Sequence, residues 1–186
     1  VFMENIVTGQ GVGAIPGHET SWLSSDPHFP CNSIGNDYNK RYECYQMQTS
    51  WMFSLTNSNY TQVGEECLKA PEDMVPVCYK SLGRDIAGRT LRDPVQIVAL
   101  CKPAGTPELF RSCIWGAVNV IVDFWGPDLQ GQASALCALL PTRDDKASCY
   151  TTLAGRLKDI TASAERREML CKTFESDYQS LCSSNL

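Results

Sequence analysis

Ten cysteines set at near-constant intervals along 186 residues constrain this chain more than any other feature. They fall into two interleaved series. Cys31, Cys67, Cys101, Cys137 and Cys171 are separated by 36, 34, 36 and 34 residues. Cys44, Cys78, Cys113, Cys149 and Cys182 are separated by 34, 35, 36 and 33. A period near 35 held over five units is an internal repeat, and repeats of this length stack as supersecondary units. No Cys-x-x-Cys occurs. Its absence removes the usual zinc-site and thioredoxin-type signatures and covalent haem attachment, and an oxidising compartment is the reading that remains.

The two series sit in different contexts. A first-series cysteine closes an apolar segment, as in Val98-Ala99-Leu100-Cys101, Ala135-Leu136-Cys137 and Met169-Leu170-Cys171. Proline often follows, at Pro71, Pro103 and Pro141, as it does where a helix has just ended. A second-series cysteine opens a segment, often as Cys-Tyr: Cys44-Tyr45, Cys78-Tyr79, Cys149-Tyr150. Asp93-Pro94 supplies an N-cap followed by a proline suited to the first helical position. Each unit therefore reads as helix A, a short loop and helix B. The predicted A helices cover 60–69, 94–102, 128–140 and 162–173; the predicted B helices cover 43–56, 77–89, 109–125, 147–159 and 177–183.

Within units the cysteines are 13, 11, 12, 12 and 11 residues apart, a separation that an antiparallel helix pair brings within disulfide reach. The expected bridges are Cys31–Cys44, Cys67–Cys78, Cys101–Cys113, Cys137–Cys149 and Cys171–Cys182. The expected fold class is all-α, with tandem helical hairpins stacked as a short α-solenoid and one disulfide per hairpin. One domain is expected over 1–186, with five disulfide-closed units in 31–182. Ile114, Trp115, Ala117, Val118, Val120, Ile121, Val122, Phe124 and Trp125 make the third B helix apolar nearly all round, as in a helix covered on most sides. The run Glu165-Arg166-Arg167-Glu168 suits a terminal cap. Val1-Phe2-Met3-Glu4-Asn5-Ile6-Val7 aligns with the body of a B helix. Residues 1–7 are therefore expected to be helical, and the chain to be the C-terminal part of a longer array.

This arrangement resembles disulfide-bridged helical-hairpin repeat proteins of the Sel1-like, cysteine-rich type over most of 31–182. Leu82-Gly83 and Leu153-Ala154-Gly155 stand where that family carries an Ala/Leu-Gly consensus, although the family pairs its cysteines at a shorter spacing. The resemblance implies extracytoplasmic protein recognition.

The formal net charge of -5 argues against a phosphate-backbone or anionic-membrane partner, which needs clustered Lys and Arg. The longest apolar stretch, Ile114 to Trp125, is interrupted by Asn119 and Asp123 and suits a core helix better than a membrane span. No Gly-x-Ser-x-Gly, His-Glu-x-x-His, phosphate loop or dinucleotide fingerprint is present, and ten paired cysteines leave no thiol nucleophile. The expectation is therefore a non-enzymatic chain without cofactor that binds another protein, outside the cytoplasm (secreted, periplasmic or lumenal).

The loop 8–30, rich in glycine and proline, breaks the repeat and holds both histidines, His18 and His28, beside Glu19 and Asp26. A metal or redox-accessory role for these histidines is the rival expectation. Met3, Met47, Met52 and Met74 are read as core packing. Among the aromatics around the first unit, Trp22, Phe29, Tyr42 and Trp51 are the candidate partner anchors; docking of the loop onto the array is the alternative use of these rings. Arg84-Asp85 and Arg143-Asp144-Asp145-Lys146 read as surface ion pairs. Asn59-Tyr60-Thr61 is a glycosylation sequon, a triplet that also arises by chance.

Overall fold

The computed structural model describes residues 24–126 and 131–183. Among them the secondary structure is α-helix and short 3-10 turns, without strands. The α-helices are α1 (Tyr38–Leu55), α2 (Tyr60–Cys67), α3 (Val75–Arg89), α4 (Pro94–Cys101), α5 (Pro107–Trp125), α6 (Gly131–Ala138), α7 (Arg143–Ile160), α8 (Ala164–Cys171) and α9 (Gln179–Ser183). The even-numbered helices are the A helices and the odd-numbered are the B helices. The all-α class and the disulfide-closed hairpins agree with the sequence reading. The expected helix at 1–7 and the loop up to residue 23 lie outside the described residues.

All five bridges join the expected neighbours, with Cα–Cα distances of 5.4 to 5.7 Å, and no cysteine is free. Two details differ from expectation. Cys31 sits in a 3-10 turn, Cys31–Ser33, so turn residues stand where the first hairpin would carry helix A. The second-series cysteines lie inside B helices that start earlier, at Tyr38, Pro107 and Arg143. These starts are set by side-chain caps: Asp37 accepts from the Lys40 amide, Thr106 from Leu109 and Thr142 from Asp145. The first turns at Tyr38 and Arg143 are largely polar, so apolar periodicity understates those two helices.

The chain divides into two compact units, 1–82 and 83–186. In the first, α1 packs on α2 and on the Cys31 turn. Tyr45, Met52, Phe53 and Met74 form its core, and the Thr49 and Ser81 hydroxyls pair at 2.6 Å inside it. Arg41 grips Asp73 through two guanidinium nitrogens at 3.3 and 2.7 Å. In the second unit α4 stacks on α6, α5 on α7 and α7 on α9, so like helices stack on like. Ile114, Ile121, Leu136, Leu153 and Tyr150 are buried there. Tyr150 lies 4.9 Å, centroid to centroid, from both Phe174 and Tyr178.

Polar links in the second unit also follow the repeat. Arg111 Nε donates to Asp145 at 2.7 Å near the start of α5 and α7, and Arg156 Nε donates to Asp123 near their ends. The matching order of the two pairs shows that α5 and α7 run parallel. Asp145 is buried and also accepts from the Thr142 hydroxyl at 2.6 Å. The sequence reading of residues 143–146 as surface ion pairs is thereby corrected: Asp145 belongs to a cap and to an inter-hairpin clamp, and Lys146 reaches Glu175 at 3.0 Å. Arg84 and Asp85 are likewise mostly covered, with side chains 16 % and 14 % exposed.

The turn from a B helix into the next A helix is repeated almost bond for bond. In one copy the Thr56 hydroxyl donates to the Met52 carbonyl, Ser58 N to Phe53 O at 2.8 Å, and Asn59 N to Thr56 O at 3.1 Å. In the other the Thr90 hydroxyl donates to Ile86 O, Arg92 N to Ala87 O at 2.9 Å, and Asp93 N to Thr90 O at 3.1 Å. Both copies place two residues at positive φ: Asn57 and Ser58 at 50° and 64°, Leu91 and Arg92 at 51° and 67°. Asn visits this region readily, whereas a leucine there is strained.

Candidate functional site

Two places carry the candidate residues. The first is residues 24–33, laid on α1 and α2. Gln48, buried in α1, donates to the Pro27 and Phe29 carbonyls at 2.7 and 2.9 Å. Trp51 Nε1 donates to Ser24 O at 3.0 Å. Phe29, Tyr42 and Trp51 are all half-buried. Tyr42 stacks on the exposed Tyr38 at 6.0 Å, and Lys80 Nζ stands 5.9 Å from its ring. Gln48 and Trp51 dock the segment, and Phe29, Tyr42 and Trp51 keep part of their surface open. Trp22 and His18 lie outside the described residues. Met52 and Met74 are buried, as the core reading expects.

His28 is inserted into this contact, its side chain 12 % exposed. Its Nδ1 lies 3.2 Å from the Tyr45 hydroxyl, and its backbone N–H donates to Asp26 at 2.8 Å. Its Nε2 is buried without a hydrogen-bond partner, 3.8 Å from Glu66 Oε2. Glu66 in turn holds Lys69 at 2.7 Å. Among the described residues no group of three potential ligands is arranged to hold a metal ion. Burial holds the imidazole below its ordinary value, against the opposing pull of Asp26 and Glu66 and in the same direction as Lys69. Burial pushes the Tyr45 hydroxyl up to about 12, so it remains protonated at neutral pH.

A histidine depressed in the folded state stabilises docking above the unfolded value of about 6.5 and loses that stabilisation as pH falls through the folded value. Acidification from pH 7 to pH 5 should therefore loosen residues 24–33 before the helices melt. The Trp51 indole N–H, followed by hydrogen exchange, should exchange faster at pH 5 relative to its intrinsic rate. The His28→Gln variant should show no such pH-dependent change in protection. Protection that stays constant across this range in the wild type would contradict the account of His28.

The second place is a set of exposed apolar side chains at or just past the ends of B helices in the second unit. Leu91 is 81 % exposed, in the turn after α3; Phe124 is 77 % exposed, at the end of α5; and Ile160 closes α7 at 36 %. Phe124 and Ile160 each lie 11 residues past the cysteine of their helix, and Leu91 lies 13 past Cys78. The sequence expectation that the third B helix is covered nearly all round is corrected at Phe124, in the last turn, which is 77 % exposed. Nothing in the local sequence pattern separates Phe124 from the buried Ile121 and Val122.

Leu91 occupies the turn position that Asn57 holds in the other copy. A leucine there combines backbone strain with exposure, and neither helps the fold. The Leu91→Asn variant should therefore unfold at higher temperature than the wild type, by a gain of about 0.5–1 kcal/mol. A loss of stability would show that Leu91 has a structural task.

A shallow dimple between α5 and α7, lined by Phe110, Arg111, Trp115 and Asp145 among others, has no enclosed room even for a water molecule and is no small-molecule site. No helix among the described residues is long and apolar enough to cross a membrane. No protein-family model, curated protein or solved structure matches this chain. Five intrachain disulfides with no free thiol are typical of extracytoplasmic proteins, and the architecture is compatible with a cysteine-rich helical repeat.

Proposed function

We propose that the chain is an extracytoplasmic scaffold or accessory subunit that binds another protein through a fixed helical surface. The observation that carries this reading is the exposure of Leu91 and Phe124 at the ends of successive B helices. Large apolar side chains so far out of the core, one of them at a strained φ, are a cost to the isolated chain and a gain once covered. The short-ring disulfides support it, because a surface held fixed before binding loses less entropy on association. The resemblance to Sel1-like, cysteine-rich repeats points the same way, toward protein recognition outside the cytoplasm. Phe29, Tyr42 and Trp51, together with Trp22, form the proposed second contact region. The partner would present a complementary apolar surface.

The test is photo-crosslinking in the native source, with a benzophenone amino acid in place of Phe124 and, as a control, in place of the exposed Lys158 on α7. A discrete heterologous adduct from position 124 that is absent from position 158 is the expected result. Equal labelling from both positions, or none from 124, overturns the proposed contact.

A further inference from the structure

The geometry points to Asn59 as an N-glycan acceptor, a modification site on the turn between α1 and α2. This inference rests on the extracytoplasmic reading above and adds to it a secretory pathway that carries an oligosaccharyltransferase. Asn59 is exposed and caps α2, its Oδ1 accepting from the Gln62 amide at 3.1 Å. That bond uses the carbonyl oxygen alone. The amide nitrogen, the atom that would carry a glycan, has no partner among the described residues, so cap and glycan are compatible. Thr61, also exposed, completes the Asn-x-Thr triplet with a hydroxyl that has no partner among the described residues.

Comparison with the other hairpins separates this triplet from ordinary capping. Asp93 caps α4 and Ser163 caps α8 by the same kind of bond, with Val95 and Glu165 two residues further on. Neither copy needs an amide at the cap or a hydroxyl at the second helical position. Only α2, among these three, has both. The turn also presents the site firmly: Phe53 and Tyr60 meet edge to face at 5.1 Å beneath it, and Asn59 N is held by Thr56 O.

The co-reactant is a lipid-pyrophosphate-linked oligosaccharide. The Asn59 amide nitrogen forms a bond to the anomeric carbon and gives up one proton. The bond from that carbon to the pyrophosphate oxygen breaks, and the lipid pyrophosphate departs. Transfer precedes closure of the hairpin, since the acceptor triplet must be extended to be read; the folded turn then leaves the sugar in solvent.

The chain, secreted from a eukaryotic cell behind a cleavable signal, is weighed intact before and after treatment with peptide-N-glycosidase. The expected result is a glycan mass that the enzyme removes, converting Asn59 to aspartate. Thr61→Ala should abolish that mass while leaving the Asn59 cap and the melting temperature unchanged, and Thr61→Ser should retain it. Secreted protein with five intact disulfides and an unmodified mass overturns the inference while leaving the extracytoplasmic reading in place. Protein that reaches the medium with reduced cysteines defeats that reading, and the inference with it.

Discussion

Full reduction of the disulfides should unfold this chain at neutral pH and room temperature. Each bridge closes a ring of 11 to 13 residues. The chain-entropy estimate gives about 3 kcal/mol for such a ring. Five of them together rival or exceed the whole stability of an ordinary domain, about 5–15 kcal/mol. The helices offer little to replace them: α2, α4, α6 and α8 are eight residues each, too short to persist alone. Far-UV circular dichroism with a phosphine reductant should therefore show loss of most helical signal and of a cooperative melt. Retention of both after complete reduction would mean that packing between hairpins suffices.

Two glycines of the same helix should respond to alanine in opposite directions. A Cβ added at Gly83 in α3 would lie 1.7 Å from the Cys113 carbonyl oxygen and 2.6 Å from its carbon. These are backbone atoms of α5, so no rotamer change relieves the clash and the two helices must move apart. Gly83→Ala should cost about 3 kcal/mol, the upper part of the usual overpacking range. At Gly88, one and a half turns later, an added Cβ meets nothing within 4 Å. Gly88→Ala should stabilise by about 0.5–1 kcal/mol through helix propensity alone. Thermal unfolding of the two variants beside the wild type checks both signs. A neutral Gly83→Ala would show that α3 and α5 do not approach so closely.

The cysteine series made the hairpins and the disulfide pairing legible because each unit repeats the same chemistry at the same interval. Helix starts at Tyr38 and Arg143 were less legible, since Asp37 and Thr142 cap polar first turns that carry no apolar signal. The close approach at Gly83 was not legible at all. Leu82-Gly83 looks the same in sequence whether the glycine faces solvent or another backbone. The candidate sites divide along the same line. Phe29, Tyr42 and Trp51 are visible as a cluster of rings, but the hydrogen bonds of Gln48 and Trp51 that dock residues 24–33 reach backbone carbonyls 19 and 27 residues away. Phe124 reads as core because an apolar pattern on every side of a helix does not say which side is left uncovered. Leu91 stands out only against the matching turn, where Asn57 holds the same positive φ.

The central claim is that Leu91 and Phe124 are held out for a partner. Once the crosslinked partner is in hand, its affinity for the wild type and for the Leu91→Asn/Phe124→Ser double variant decides the matter, measured by calorimetry at matched salt. The account predicts binding weaker by at least about tenfold, a loss of roughly 1.4 kcal/mol or more, in a variant that melts no lower than the wild type. Equal affinity in a variant that is equally folded would contradict it.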